Sequence, residues 1–129
     1  MVTREDVESY LLRTELDHEE VEEGMWMLRA GPSGAGLVVS HTPPVLVFRV
    51  KVLDIPADPA SCARLYRRLL ELNATDLVHG AYGIEEGDIV LTETMELVNL
   101  EFNEFQATVE SIQMALASHL DELAPYRTC

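Results

Sequence analysis

Two histidines lie close to carboxylates that could help to hold a metal ion. His18 is followed by Glu19 and Glu20, and His119 lies two residues before Asp121. Imidazole and carboxylate groups are metal ligands, but a dedicated site needs several of them converging with a defined geometry. The four histidines are scattered, with no His-x-x-x-His pair. The sequence therefore favours solvated surface here and predicts no metal site; a small ligand- or metal-binding domain, or an enzyme using surface carboxylates, is the alternative.

The motifs of nucleophilic and phosphate chemistry are missing from the sequence. Ser40 and Ser118 each precede a histidine directly, which is not how a base is presented to a nucleophile, and no Gly-x-Ser-x-Gly elbow occurs. The glycine-rich stretch Gly31–Gly36 lacks the following Lys-Ser or Lys-Thr of a phosphate-binding loop. We expect a flexible loop there, no catalytic residue, no cofactor and no enzymatic activity.

The charge balance is strongly acidic. Twenty-three Asp and Glu residues face nine Lys and Arg residues, for a formal net charge of −14, and no Lys or Arg occurs from Leu69 through Tyr126. Such a surface repels phosphate backbones, which argues against direct nucleic-acid binding, and it can steer a basic partner. The 129 residues fit one domain, 1–129, and no apolar run approaches the ~20 residues of a membrane span. We expect a cytoplasmic protein.

The first part of the chain predicts a helix followed by strands. Thr3 is a good N-cap, and the helix should run from about Thr3 to Leu16. An acidic link, Asp17–Glu23, should follow, and a strand should begin near Gly24. Leu37–His41 predicts the next strand.

The strand predicted from Val45 to about Leu53 has the clearest alternation. One face should carry the apolar residues Leu46, Phe48, Val50 and Val52, and the other face Val45, Val47, Arg49 and Lys51. This predicts a sheet with one face on the core and the other partly wet.

The second half predicts two helices around a hairpin. Helix two should start at Asp58-Pro59 and end at Asn73, in the left-handed conformation that stops helices. The last helix, with apolar residues from Phe102 to Leu123 at spacings of three and four, should be capped by Asn99 or Asn103. The order α-β-β-β-α-β-β-α predicts an α+β fold: an antiparallel sheet with helices packed on it.

With this order in view, the chain resembles the YbjN-like group and, through it, the class I type III secretion chaperones of the CesT/Tir type. The resemblance rests on Gly24–Leu28 in the first strand, Leu69–Asn73 at the end of helix two, and Gly80–Gly83 and Gly87–Leu91 in the hairpin. It extends over nearly the whole chain.

The resemblance implies a non-enzymatic, chaperone-like or regulatory protein-binding module, usually a homodimer, that holds a segment of a client protein. Members of the YbjN-like group are described as sensory-transduction regulators. Carried over by position, Met25, Met27 and Val38 become candidates for contact with the partner. Three residues of helix two become candidates for the dimer interface: Leu65, Tyr66 and Leu69.

Overall fold

The computed structural model describes residues 1–29 and 36–128. Its elements, in chain order, are α1 (Arg4–Thr14), β1 (His18–Glu22), β2 (Met25–Arg29), β3 (Gly36–Thr42), β4 (Val45–Asp54), α2 (Pro59–Thr75), β5 (Ala81–Glu85), β6 (Asp88–Glu96), α3 (Phe102–Leu123) and a short 3-10 helix (Ala124–Thr128). The predicted α+β class is confirmed: a six-stranded antiparallel sheet carries three α-helices. Apart from Gly36, the predicted glycine-rich loop lies outside the described residues.

One element is additional to the predicted order. The residues expected to form an acidic link include strand β1, which pairs antiparallel with β2 in the register Glu19 to Met27. Four of its five residues are charged or potentially charged, so their own β propensity is low. β1 is an edge strand with exposed side chains, and pairing with the apolar β2 outweighs that propensity.

The strands lie in the order β1-β2-β3-β4-β6-β5, with β4 joining the two halves of the sheet. The helices cover one face of it. The Phe105 ring of α3 packs 5.6 Å from the Phe48 ring of β4, measured between centroids. The same face of β2, β3 and β4 supplies the centre of the core: Trp26, Leu28, Leu37, Val39, Leu46, Phe48 and Val50.

The predicted alternation along β4 holds up to a β-bulge. The register with β6 shifts between Lys51 and Leu53, and a bulge inserts one residue without a partner. Leu53 therefore enters the core at 4% exposure, while Val52, predicted to face the core, is only half-buried. Val52 still packs against the core as predicted, and the bulge explains why it is less buried than the other residues of that face.

Two helix boundaries are set by side chains. Thr3 caps α1 as predicted, accepting a hydrogen bond from the Asp6 N–H at 3.2 Å. The reciprocal hydrogen bond from the Thr3 N–H to the Asp6 carboxylate lowers the pKa of Asp6. The predicted cap of α3 is wrong: Glu101 is the N-cap residue, and its capping box is completed by Glu104.

Asn73 does not end α2, because the helix continues to Thr75. Its carboxamide instead contacts the backbone of β5: the Tyr82 N–H donates to Oδ1 at 2.7 Å, and Nδ2 donates to the Tyr82 carbonyl at 3.2 Å. β5 is an edge strand, so its outward backbone groups at Tyr82 need partners. Asn73 supplies both of them and fixes β5 to α2.

A buried hydrogen-bond chain ties the same strand to α3. The Tyr82 hydroxyl lies 2.6 Å from Nδ1 of His119, and Nε2 of His119 lies 3.3 Å from a carboxylate oxygen of Asp76. Tyr82 and His119 are 7% and 5% exposed. Burial raises the pKa of Tyr82, and the nearby Glu122 and Asp76 raise it further.

No helix in the described part of the chain combines the length and the apolar character that crossing a membrane requires.

Replacing Asn73 by alanine should loosen β5. The variant leaves the Tyr82 N–H and carbonyl without these partners, which costs about 1–3 kcal/mol for a buried polar group. Hydrogen exchange should show faster exchange of the Tyr82 amide. Asn103→Ala, at an exposed position of α3, is the matched control, and unchanged protection of Tyr82 in Asn73→Ala would contradict the assignment.

Tyr82→Phe should change how stability depends on alkaline pH. The folded-state pKa of Tyr82 lies above the unfolded value of about 10, so the folded chain keeps a proton that the unfolded chain releases. This contribution is complete below pH ~10 and is lost as the pH rises above it, by up to about 1.4 kcal/mol per pH unit. Urea unfolding, followed by the fluorescence of the buried Trp26, should show a shallower decline for the variant; parallel curves would refute the assignment.

Candidate protein-binding surface

The sheet face opposite the helices, here called the open face, brings the three predicted partner-binding residues together. Met27 and Val38 are register partners on β2 and β3, and Met25 is two residues from Met27 on the same side of β2. Val45 and Val47 of β4 lie on this face as well. These five side chains, all half-buried within the single chain, are called the apolar patch.

Close packing within the sheet shapes the apolar patch. A Cβ placed on Gly36 would lie only 3.0 Å from the Met27 sulfur, so the Met27 side chain lies over the glycine. Methionine is unbranched and polarizable, and it adapts to differently shaped apolar partners. The patch is therefore an adaptable apolar surface. The helices pack on the other face of the sheet, and no helix of the described chain packs on this one.

Charged residues border the apolar patch at both ends of the strands. Toward one end lie Arg29, Arg49 and Lys51, which continue the same side of β2 and β4. Toward the other end lie Glu22, the register partner of Met25, and Glu96, the register partner of Val45. Acids are not confined to one end, because Glu19 is the register partner of Met27 and lies near Arg29.

The two β4 cations are paired differently. Lys51 Nζ lies 2.8 Å from Asp54 and 3.4 Å from Asp88. Both contacts raise the pKa of Lys51, and the contact with Asp54 has the larger effect. Arg49 Nη2 lies 2.6 Å from Glu85 of β5. Arg49 Nε is buried and has no hydrogen-bond partner among the described residues.

The two edges of the sheet differ in how accessible their backbone groups are. On β5, the Asn73 carboxamide occupies the outward groups of Tyr82. On β1, the Arg29 N–H donates to the Asp17 carbonyl at 3.1 Å. In an antiparallel pair this places the backbone groups of His18 and Glu20 on the side away from β2. β1 is therefore the edge at which another strand can pair.

The predicted dimer-interface residues divide between the core and the surface. Leu65 is fully buried and Leu69 is 4% exposed, both within the core of the single chain, whereas Tyr66 is half-buried. The outward side of α2 carries exposed apolar residues, Ala63 and Leu70 among them, and arginines lie between these residues. Leu65 and Leu69 therefore have almost no surface with which to meet a second chain, and an interface on α2 would use its outward side.

The histidines considered for metal binding have other partners. His18 Nδ1 lies 3.0 Å from the Leu16 carbonyl, and His119 contacts Tyr82 and Asp76. In residues 1–29 and 36–128, no group of three or more His, Cys, Asp or Glu side chains is placed to hold a metal ion. The Tyr82–His119–Asp76 chain joins a hydroxyl, an imidazole and a carboxylate, but its burial keeps a substrate away from the hydroxyl. This arrangement suits packing rather than catalysis.

The sequence alone does not predict the contacts that Arg49 makes. Alternation placed it on the wet side of its strand, but its position next to Val38 depends on the register between β3 and β4. Its pairing with Glu85 depends on the position of β5 beyond β6. The available signal was a pair of cations, Arg49 and Lys51, in a strand that is otherwise mostly apolar.

Several solved structures share this fold. YbjN from E. coli superposes with a TM-score of 0.69 at 11% identity, covering 93% of this chain and 92% of that one. A chain of the heterodimeric complex ExoU–SpcU, from the type III secretion system of Pseudomonas aeruginosa, gives 0.64 at 16% identity, with coverage of 94% and 97%. A chain of the HopA1–SchA chaperone–effector complex gives 0.58 at 11% identity, with coverage of 94% and 89%.

These likenesses confirm the predicted chaperone-like fold at identities that show the fold alone. A comparison with curated protein sequences gives no match. The CesT_Tir_1 family model matches residues 2–128, which is nearly the whole chain and agrees with the predicted resemblance. The chain is a member of the CesT_Tir_1 family.

Proposed function

We propose that this protein is a non-enzymatic, chaperone-like module that holds an extended segment of a client protein in the cytoplasm. The observation that carries the proposal is the apolar patch on a sheet face that the helices leave uncovered. Ser40 lies in register between Met25 and Val47, and an exposed apolar surface interspersed with and bordered by polar residues is typical of protein-binding sites. The family membership and the effector complex of a structural neighbour support the same class of function.

The acidic edge strand favours an extended and basic client. β1 offers the outward backbone groups of His18 and Glu20, and an added strand can pair with such groups. The glutamates of β1 repel the β1 strand of another copy, since like charges placed opposite each other destabilise strand pairing. The same glutamates attract lysine or arginine side chains, so the edge favours a basic segment of a different protein.

We also propose that the protein forms a homodimer through the outward side of α2. Leu70 is 67% exposed there, with the small residues Ala63 and Ala74 on the same surface. In a two-fold arrangement with antiparallel helices, Arg67 of one copy approaches the half of the partner helix that carries Glu71. Tyr66 would lie at the border of this contact, and the buried Leu65 and Leu69 would support it from within.

Client binding predicts that Met25→Asp abolishes capture of a partner. A charged side chain in the apolar patch would have to be desolvated by the bound segment, which is unfavourable. Immobilised wild-type protein should retain a specific protein from native lysate of its source cells, and Met25→Asp should not. Met114→Asp, at a 70% exposed methionine of α3, is the matched control. No specific protein in any sample, or equal capture by both variants, would refute the proposed function.

The dimer proposal predicts a mass near twice 14.4 kDa in light scattering coupled to size exclusion. Leu70→Asp should shift the protein toward the monomer mass, because each two-fold interface would bury two carboxylates. Leu12→Asp, at a 70% exposed leucine of α1, should not. A monomer mass for the wild-type protein would rule out the dimer.

A further inference from the structure

A buried hydrogen-bond chain connects three elements on the helix-covered side of the sheet. Asp76 is the C-cap residue of α2, Tyr82 lies on the edge strand β5, and His119 lies on α3. The Tyr82 hydroxyl is 2.6 Å from His119 Nδ1, and His119 Nε2 is 3.3 Å from a carboxylate oxygen of Asp76. Neither the apolar patch nor the outward side of α2 includes these residues, so client binding and dimerisation do not account for their arrangement.

The partners of His119 fix where its protons lie. An ionised carboxylate only accepts hydrogen bonds, so Nε2 carries the proton that is directed at Asp76. In a neutral imidazole the other nitrogen is then an acceptor, and the Tyr82 hydroxyl donates to Nδ1. Burial raises the pKa of Tyr82, which keeps the hydroxyl proton in place. The neutral ring therefore donates one hydrogen bond to α2 and accepts one from β5.

Protonation of His119 disturbs the hydrogen bond to β5. A proton added at Nδ1 directs an N–H at the Tyr82 hydroxyl. The hydroxyl oxygen can accept from it, but the hydroxyl proton then needs a different acceptor. Tyr82 is buried, and within residues 1–29 and 36–128 its hydroxyl has no hydrogen-bond partner besides His119. A buried donor without an acceptor is unfavourable, so the protonated ring binds Tyr82 less well than the neutral ring.

The charged groups around His119 compensate the added charge. From α2, the Asp76 carboxylate faces Nε2. On α3, Glu122 follows one turn later and pairs with Arg68 at 2.6 Å, and its pKa is lowered by Arg68 most and by His119 less. β6 places Glu93 on the same side of the sheet, where its carboxylate accepts from a backbone N–H. Among these groups carboxylates outnumber cations, and an imidazolium stays paired with Asp76.

We propose that the Tyr82–His119 hydrogen bond is an acid-sensitive contact: protonation of His119 releases β5 from α3 while the rest of the fold persists. The released strand keeps its pairing with β6 and its two hydrogen bonds with Asn73, and neither of these titrates. Because the open contact binds the proton more readily than the closed one, lower pH favours the open state. Release also affects the open face, since β5 carries Glu85, the partner of Arg49.

Hydrogen exchange measured at a series of pH values tests the contact in the whole protein. NMR of the imidazole ring follows the protonation of His119, and histidine is the side chain that ordinarily changes charge near neutral pH. Over that transition, the amides of Tyr82 and Gly83 should lose protection about fivefold or more, after correction for the intrinsic pH dependence of exchange. The amides of Val38 and Val39 in β3 should keep theirs.

Two variants assign the effect to the proposed atoms. Tyr82→Phe retains His119 but removes the hydroxyl proton that protonation displaces, so protection of Gly83 should no longer depend on the charge of His119. His119→Gln removes the titrating group and should give the same independence of pH. His18→Gln, on the opposite edge of the sheet, is the matched control and should keep the wild-type pH dependence. Circular dichroism establishes that each variant is folded, and where one is not, the wild-type protein and the other variant provide the test.

Several results would overturn the inference. The same loss of protection in Tyr82→Phe would attribute the loss to charge alone. Unchanged protection of β5 while His119 titrates would show that the contact is insensitive to the proton. Loss of protection in all strands together, or a ring that stays neutral until the whole chain unfolds, would exclude a local release. Because the experiment needs no client, its result is independent of the capture from lysate.

Discussion

The structure depends on the side-chain alternation of its central strand. β4 pairs with β3 on one side and β6 on the other, so it joins the two halves of the sheet. Leu46, Phe48 and Val50 point into the core, where Phe48 meets Phe105 of α3. The residues between them face the opposite side of the sheet, because successive side chains of a strand point to alternate faces. The same ten residues thus anchor the helices and form the middle of the open face.

The sequence predicted what depends on local patterns and failed where distant pairing decides. The period of β4 and the capping box at Thr3 are local, and both are confirmed apart from the bulge before Leu53. β1 was missed because its glutamates favour loop, whereas pairing with β2 makes it a strand. Asn73 was assigned to a helix end from its residue type. Its carboxamide instead forms hydrogen bonds to the backbone of β5, and the residues next to Asn73 in the sequence do not reveal this contact.

The candidate surface was predicted in part for the same reason. Met25, Met27 and Val38 were proposed from the family resemblance, and the register between β2 and β3 places all three on one face of the sheet. Leu65 and Leu69 share a helix face with Leu72, and that face is the core. Helical spacing identifies such a face but does not distinguish packing within a chain from packing between chains. The contact between Arg49 and Glu85 likewise depends on the order of the strands, which no local pattern predicts.

The strong acidity of the protein and its open apolar face are related, because charge limits self-association through an exposed apolar surface. An uncovered apolar patch and an unpaired edge strand both favour self-association, and natural sheets use charge to prevent it. Glutamates on β1 and beside the apolar patch repel other copies that approach through this edge and face of the sheet. These charges do not repel a basic partner segment. The features that keep the free protein from aggregating through this surface therefore also set the chemistry of the ligand that the surface can accept.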